Sequence, residues 1–240
     1  MEYKAYSFDL DDNLLKLPTC VSLRDKSNNI QEFSTLEFEK IRPNLEKLNL
    51  YITKNSFKQF SDDNQFIIDI NKATKCGSWR NLEKCIIKHT SIFAIITARG
   101  HSIETIKAGI NIAIFKNISK ENLEIFRLNF LEKYNIKLKD TSLKNVMSEY
   151  LNLCKFYPVN NKEIKKEFGS NDISELKSLC FQEFRNYILK YVKDNFEKDM
   201  KVKIGFSDDS TSHLDRMVHD ALKKHGLFFY KSDKTGKTRY

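Results

Sequence analysis

Glycine and proline are scarce in this chain, seven and three in 240 residues, which excludes a collagen-like, linker-rich or disordered polypeptide. Cys20, Cys76, Cys85, Cys154 and Cys180 are scattered and odd in number, and no C-x-x-C pair occurs. That argues against a disulfide framework or a thiolate metal site, and each cysteine reads as a small buried hydrophobe. The sequence also lacks a signal peptide and any apolar run long enough to cross a bilayer. These absences predict a reduced, cytoplasmic protein with no membrane partner.

Apolar residues at 40%, with aromatics at 12%, suffice for a packed core, and the length suits one α/β unit with an insertion. Basic residues number 41 against 32 acids, a formal charge of +9. An excess of this sign steers anionic ligands, nucleic acid included. Lysine far outweighs arginine, and isoleucine and asparagine are frequent, a footprint of AT-rich coding. The basicity is therefore discounted as a functional signal.

The chain is organised around residues 5–15, Ala-Tyr-Ser-Phe-Asp-Leu-Asp-Asp-Asn-Leu-Leu. A short apolar strand stops at Asp9, and Asp11 and Asp12 follow. Three acids in four positions repel one another unless a cation or a phosphate-bearing partner sits among them, so the cluster implies an occupant, read as Mg²⁺ with a phosphate. At a strand end, Asp9 can face a substrate while Asp11 swings in beside it. That permits a division of labour in which Asp9 attacks phosphorus and Asp11 handles the proton of the leaving oxygen.

Two further apolar strands end in polar residues. Residues 91–96 run into Thr97-Ala98-Arg99-Gly100-His101, with Arg99 placed to reach a bound anion and His101 read as opening the next helix in preference to contacting a substrate. Residues 202–206 run into Ser207-Asp208-Asp209-Ser210, and Asp215 beyond them reads as surface charge. Strands alternating with helices imply a Rossmann-like, doubly wound, mostly parallel sheet whose carboxyl ends gather at one crevice.

Between these strands, residues 17–23 and 30–33 form a hairpin, Ser34-x-x-Glu37 starts a helix that breaks near Pro43, residues 66–70 read as a short strand, and residues 79–87 as a helix. Residues 14–84 are thus an insertion between the first two core strands of a single 1–240 domain. Residues 101–200 are mainly helical: one helix follows Ser102, Ser119 caps a second, a third begins near Asp140, and residues 172–200 form a long one. Residues 154–159 form an edge strand ending near Pro158. Residues 227–230 form the last strand, and the basic tail 231–240 is expected to be loosely ordered.

Phe8-Asp9-Leu10-Asp11-Asp12-Asn13-Leu14 resembles the first motif of the haloacid dehalogenase (HAD) superfamily, with Asp12 where Gly is usual and Asn13 where Thr is usual. Thr97 is similar to the second motif, and Lys-Ile-Gly-Phe-Ser-Asp-Asp to the fourth. The resemblance implies a HAD-like fold with the hairpin as a flap over the site. It also implies a Mg²⁺-dependent phosphatase that forms an aspartyl-phosphate on Asp9. Asp9, Asp11, Asp208 and Asp209 would hold Mg²⁺, while Thr97, Ala98 and Arg99 would hold the phosphate. A lysine near the start of the helix before the last acidic strand would neutralise phosphate and nucleophile; Lys177 fits that place, with Lys190 as the alternative. The partner is a phosphorylated small molecule. The alternatives are a catalytically silent protein that binds a phosphorylated ligand or nucleic acid, and a nucleic-acid 3′-phosphatase.

Overall fold

The computed structural model describes residues 2–196, 199–221, 226–233 and 236–240. In chain order, β1 (Glu2–Phe8) leads into a loop and the short β2 (Leu15–Lys16), then the hairpin β3 (Cys20–Asp25) and β4 (Ile30–Ser34). Helix α1 (Thr35–Ile41), β5 (Leu50–Tyr51), α2 (Asp63–Lys72), β6 (Thr74–Lys75) and α3 (Trp79–Ile87) complete the insertion before β7 (Phe93–Thr97). Helices α4 (Ile103–Asn117), α5 (Lys120–Tyr134) and α6 (Leu143–Leu153) precede β8 (Lys155–Pro158). The chain closes with α7 (Lys162–Phe168), α8 (Ile173–Asn195), β9 (Lys201–Asp208), α9 (Thr211–Ala221), β10 (Leu227–Asp233) and β11 (Gly236–Arg239).

The main sheet runs β11-β10-β9-β1-β7-β8, parallel throughout except for β11. After β1 the chain steps outward through β7 to β8, then returns across β1 to β9 and moves outward again to β10. The strand order therefore reverses beside β1. In an open α/β sheet of right-handed crossovers that reversal opens a crevice at the carboxyl ends of the two strands concerned. The mixed α/β architecture with a mostly parallel sheet agrees with the Rossmann-like class read from the sequence. Pro158 sits on the edge strand, where its missing N–H breaks no ladder.

Local signals account for most of the elements. Ser34 and Glu37 form the capping box of α1, and Pro43 stops that helix in a 3₁₀ turn, Arg42–Asn44. Ser102, Ser119 and Asp172 cap α4, α5 and α8 by accepting from backbone N–H groups one turn on. The long helix expected over 172–200 is found over Ile173–Asn195 and ends at the extended Phe196; residues 197–198 lie outside the described residues.

Two expectations are corrected. Residues 66–70 are not a strand; they lie within α2, capped by Asp62, whose side chain accepts from Gln65 N. A short apolar run carries no period by itself, and here Phe66, Asp69 and Ile70 are buried at helical spacing. The basic tail is not loose: β10 extends to Asp233 and pairs antiparallel with β11, although residues 234–235 lie outside the described residues. Pairing with the sheet edge satisfies backbone groups that composition could not show to have a partner.

The insertion divides in two. Val21, Leu23, Phe38 and Leu50 form a small core of their own beneath the β4-β3-β5 sheet, whereas Phe66, Ile70, Trp79 and Leu82 of α2 and α3 join the main core. Helix α2 approaches α4 closely at Gly109, where an added Cβ would lie 2.5 Å from Phe66 Cε1 and 3.2 Å from Ile70 Cγ1. Alanine gains about 1 kcal/mol over glycine in an open helix, but overpacking a core costs about 1–3 kcal/mol. Both neighbours are fully buried, so Gly109→Ala is expected to lower the urea midpoint; a raised midpoint would show that α2 yields freely.

Candidate active site

The site begins with the register of two neighbouring strands. Phe8 pairs with Ser207, and Asp9 N donates to Ser207 O at 2.9 Å, so Asp9 and Asp208 leave adjacent strand tips. Asn13 locks the tips together: its Nδ2 donates to Asp9 O at 2.8 Å and to Ser207 O at 3.0 Å, while its Oδ1 accepts from Ser78 Oγ at 2.7 Å. All of Asn13, Ser78 and Ser207 are buried, where an unmade bond would cost about 1–3 kcal/mol. The loop turns back at Asp12, whose φ of 53° lies in the left-handed region that Asp tolerates better than most side chains.

Lys177 enters this acid cluster from near the start of α8. Its Nζ donates to Asp9 Oδ1 and to Asp208 Oδ2, both at 2.8 Å, and lies 3.0 Å from His213 Nδ1. Of the two lysines weighed from the sequence, Lys177 is buried with the carboxylates; Lys190 is exposed, about 20 Å further along the helix. Asp208 Oδ1 also accepts from Ser210 N at 2.9 Å, and His213 Nδ1 stands 3.2 Å from Oδ2.

These partners separate the three acids. Burial alone would raise Asp208, but the Lys177 ammonium and His213 outweigh it and hold the carboxyl below the ordinary range. Burial raises Asp9 well above that range, with Lys177 opposing and Asp208 and Asp209 reinforcing. Asp209 is pushed up to about 8 by burial and by the adjacent Asp208 charge. Burial disfavours the Lys177 ammonium, yet Asp208 and Asp9 more than offset this and hold it above the usual lysine range. Three carboxyls crowd about one ammonium, and burial with that crowding pushes two of them towards the neutral form.

Carboxylate oxygens of Asp9, Asp208 and Asp209 all lie within 4.8 Å of one another. An octahedral Mg²⁺ with oxygens at ~2.1 Å holds opposite ligands about 4.2 Å apart, so this all-oxygen set fits a hard divalent cation. Asp11, expected in the same set, is not in it. Its Oδ1 and Oδ2 accept from Arg99 Nη2 and Nε at 2.7 and 2.9 Å, a two-pronged pairing that turns the side chain toward β7.

That pairing also corrects the role expected of Arg99. The guanidinium is buried, donates to Thr19 Oγ1 at 2.8 Å, and has the Phe60 and Phe66 rings each 5.1 Å from Cζ. It positions Asp11 and does not face the cleft. Thr97 is buried too, its Oγ1 accepting from Arg99 N at 3.4 Å; Ala98 alone of the three expected phosphate contacts lines the opening. Asp215 is exposed on α9, as expected. His101 is buried before the Ser102 cap, pairs with Asp63, and is lowered to about 4 by burial and by Arg99.

The cleft above these groups has a volume of about 620 Å³ and lies between the strand tips and the insertion. Among the bonds that tie the insertion down, Thr35 Oγ1 donates to Asp12, and Thr19 joins Arg99 to the buried Asp69 carboxylate, which it reaches at 2.6 Å. Asn13, Ser78 and His213 were missed from the sequence. Only His213 left a trace there, five residues after Asp208 and within the first turn of α9, in reach of the acids.

A raised carboxyl contributes stability that is full below its unfolded value and is lost as pH climbs through its folded one. In chelator, the urea midpoint of Asp209→Asn is therefore expected to gain on that of the unaltered chain between about pH 5 and pH 8; a difference that stays flat would show that Asp209 is not raised. Arg99→Lys keeps the charge but not the fork, and is expected to cost about 1–3 kcal/mol in urea unfolding. No protein-family model, curated protein or solved structure matches this chain, so the reading of the site rests on its own residues and geometry.

Proposed function

We propose that the chain is a Mg²⁺-dependent phosphohydrolase of the HAD type, acting on a phosphate monoester through an aspartyl-phosphate on Asp9. The observation that carries this reading is the convergence of Asp9, Asp208 and Asp209 around the buried ammonium of Lys177, at the carboxyl ends of neighbouring strands where the sheet order reverses. An acid cluster held only for structure would not need three carboxylates about one cation-sized space.

Asp9 Oδ1 is held by Lys177, and its Oδ2 accepts no bond among the described residues, which leaves that oxygen free to attack phosphorus. As the new bond forms, the P–O bond to the alcohol breaks and Asp11 gives its proton to the leaving oxygen. Water then passes a proton to Asp11 and attacks phosphorus, releasing phosphate and restoring the Asp9 carboxylate. Asp11 lines the cleft, and to carry the proton one of its oxygens must loosen from the Arg99 fork. Lys177 meets the phosphate charge as it approaches Asp9. A Mg²⁺ held by Asp9, Asp208 and Asp209 would offset the charge that two anions build up on meeting.

Asp9→Asn is expected to lower turnover of a phosphate monoester by about 10⁴-fold or more while the far-UV circular dichroism stays unchanged. Turnover retained in that variant would rule out Asp9 as nucleophile. Chelation of divalent cations is expected to abolish the activity, and Mg²⁺ to restore it.

A further inference from the structure

The cleft has two unlike ends. One holds the acids and Lys177; the facing wall, from the insertion, carries the apolar Val21, Phe38, Ile52, Phe57 and Phe60 beside the polar Thr35, Glu39 and Arg42. Val21 and Phe38 belong to the small core of the insertion, and Phe60 packs against it. Ile52 and Phe57 do not. They remain 49% and 38% exposed at the lip of the cleft, although that small core lies directly beside them. The Phe57 ring stands edge-on to both Phe38 and Phe60, with centroids 5.5 and 6.0 Å apart at 80° and 64°. This is a fixed aromatic corner with one open side, because the Asp12–Thr35 and Arg99–Thr19 bonds hold the insertion over the acid loop.

We infer that the alcohol portion of the phosphate monoester carries a planar aromatic ring, which seats against Phe57 while the phosphate meets Asp9 and Lys177. The inference rests on the phosphohydrolase reading and narrows its substrate class. Aromatic rings favour edge-to-face contact at the separations already present in this corner. At the Phe57 ring a polyol phosphate would instead turn hydroxyls toward carbon, where they lose their water unless they reach Thr35, Glu39 or Arg42. A site of this volume accommodates a ring and a phosphate together.

The test compares 2-phenylethyl phosphate with glycerol 1-phosphate on the full chain in Mg²⁺. Both leave as primary alkoxides, so leaving-group chemistry does not favour either. The aromatic ester is expected to have the higher kcat/KM by about 10-fold or more, chiefly through KM. Phe57→Ala should shrink that ratio towards one and Phe57→Leu should shrink it partway, with thermal melting confirming that each variant folds. Equal kcat/KM for the two esters, or a ratio unmoved by both variants, overturns the inference and leaves the phosphohydrolase reading standing. If neither ester is turned over, that reading fails, and titration calorimetry with phenylphosphonate decides the wall separately. Binding weakened by Phe57→Ala supports the aromatic seat; binding equal in both, or absent from both, overturns it.

Discussion

One buried ammonium, Lys177 Nζ, stands 2.8 Å from a carboxylate at each of two neighbouring strand tips. Taking any of these three charges from water alone would be strongly unfavourable, and the cluster is tolerable only because each finds the others. The rest of the architecture answers to that requirement. Strands β1 and β9 must lie side by side, in register, with their ends level, and α8 must present its first turns to both. Burial of a lysine in a chain so rich in exposed lysines is the mark that separates this side chain from the others.

The clamp around the tips serves the same end by neutral means. Asn13 bridges the backbone of β1 and β9 and is itself held by Ser78 at the start of α3, so it becomes the fastener between two strands and a helix. Arg99 does the equivalent on the other side of Asp9. Its Nε and Nη2 fork takes Asp11, Nη2 also donates to Thr19, Nη1 meets His101 Nε2, and two aromatic rings enclose it. The acid loop is therefore gripped from both sides while Asp9 and Asp209 keep carboxylate oxygens directed at a common space.

Strand tips were legible because an apolar run that stops at an acid or a hydroxyl is a one-dimensional signal; β1, β7 and β9 are found where those runs lie. Helix starts were legible for the same reason, since Ser34, Ser102, Ser119 and Asp172 act within one turn of themselves. Residues 66–70 misled because five apolar-rich positions fit either period, and the choice was made by α4 offering Gly109 as a place for Phe66. Arg99 misled because a cation after a strand faces an anion in either case, and sequence order does not say whether that anion is a ligand or Asp11, 88 positions away.

From its order of residues alone this chain determined an alternating α/β topology, three polar strand endings and a lysine near the start of the helix before the last of them. Those properties are local, carried by periodicity, caps and the abrupt end of apolar runs. Tertiary structure decided that Asp209 joins Asp9 and Asp208 while Asp11 turns away to Arg99, that Asn13 and His213 belong to the site, and that an aromatic wall faces it. Such choices depend on which distant groups compete for the same buried hydrogen bonds, and that competition exists only once the strands stand side by side.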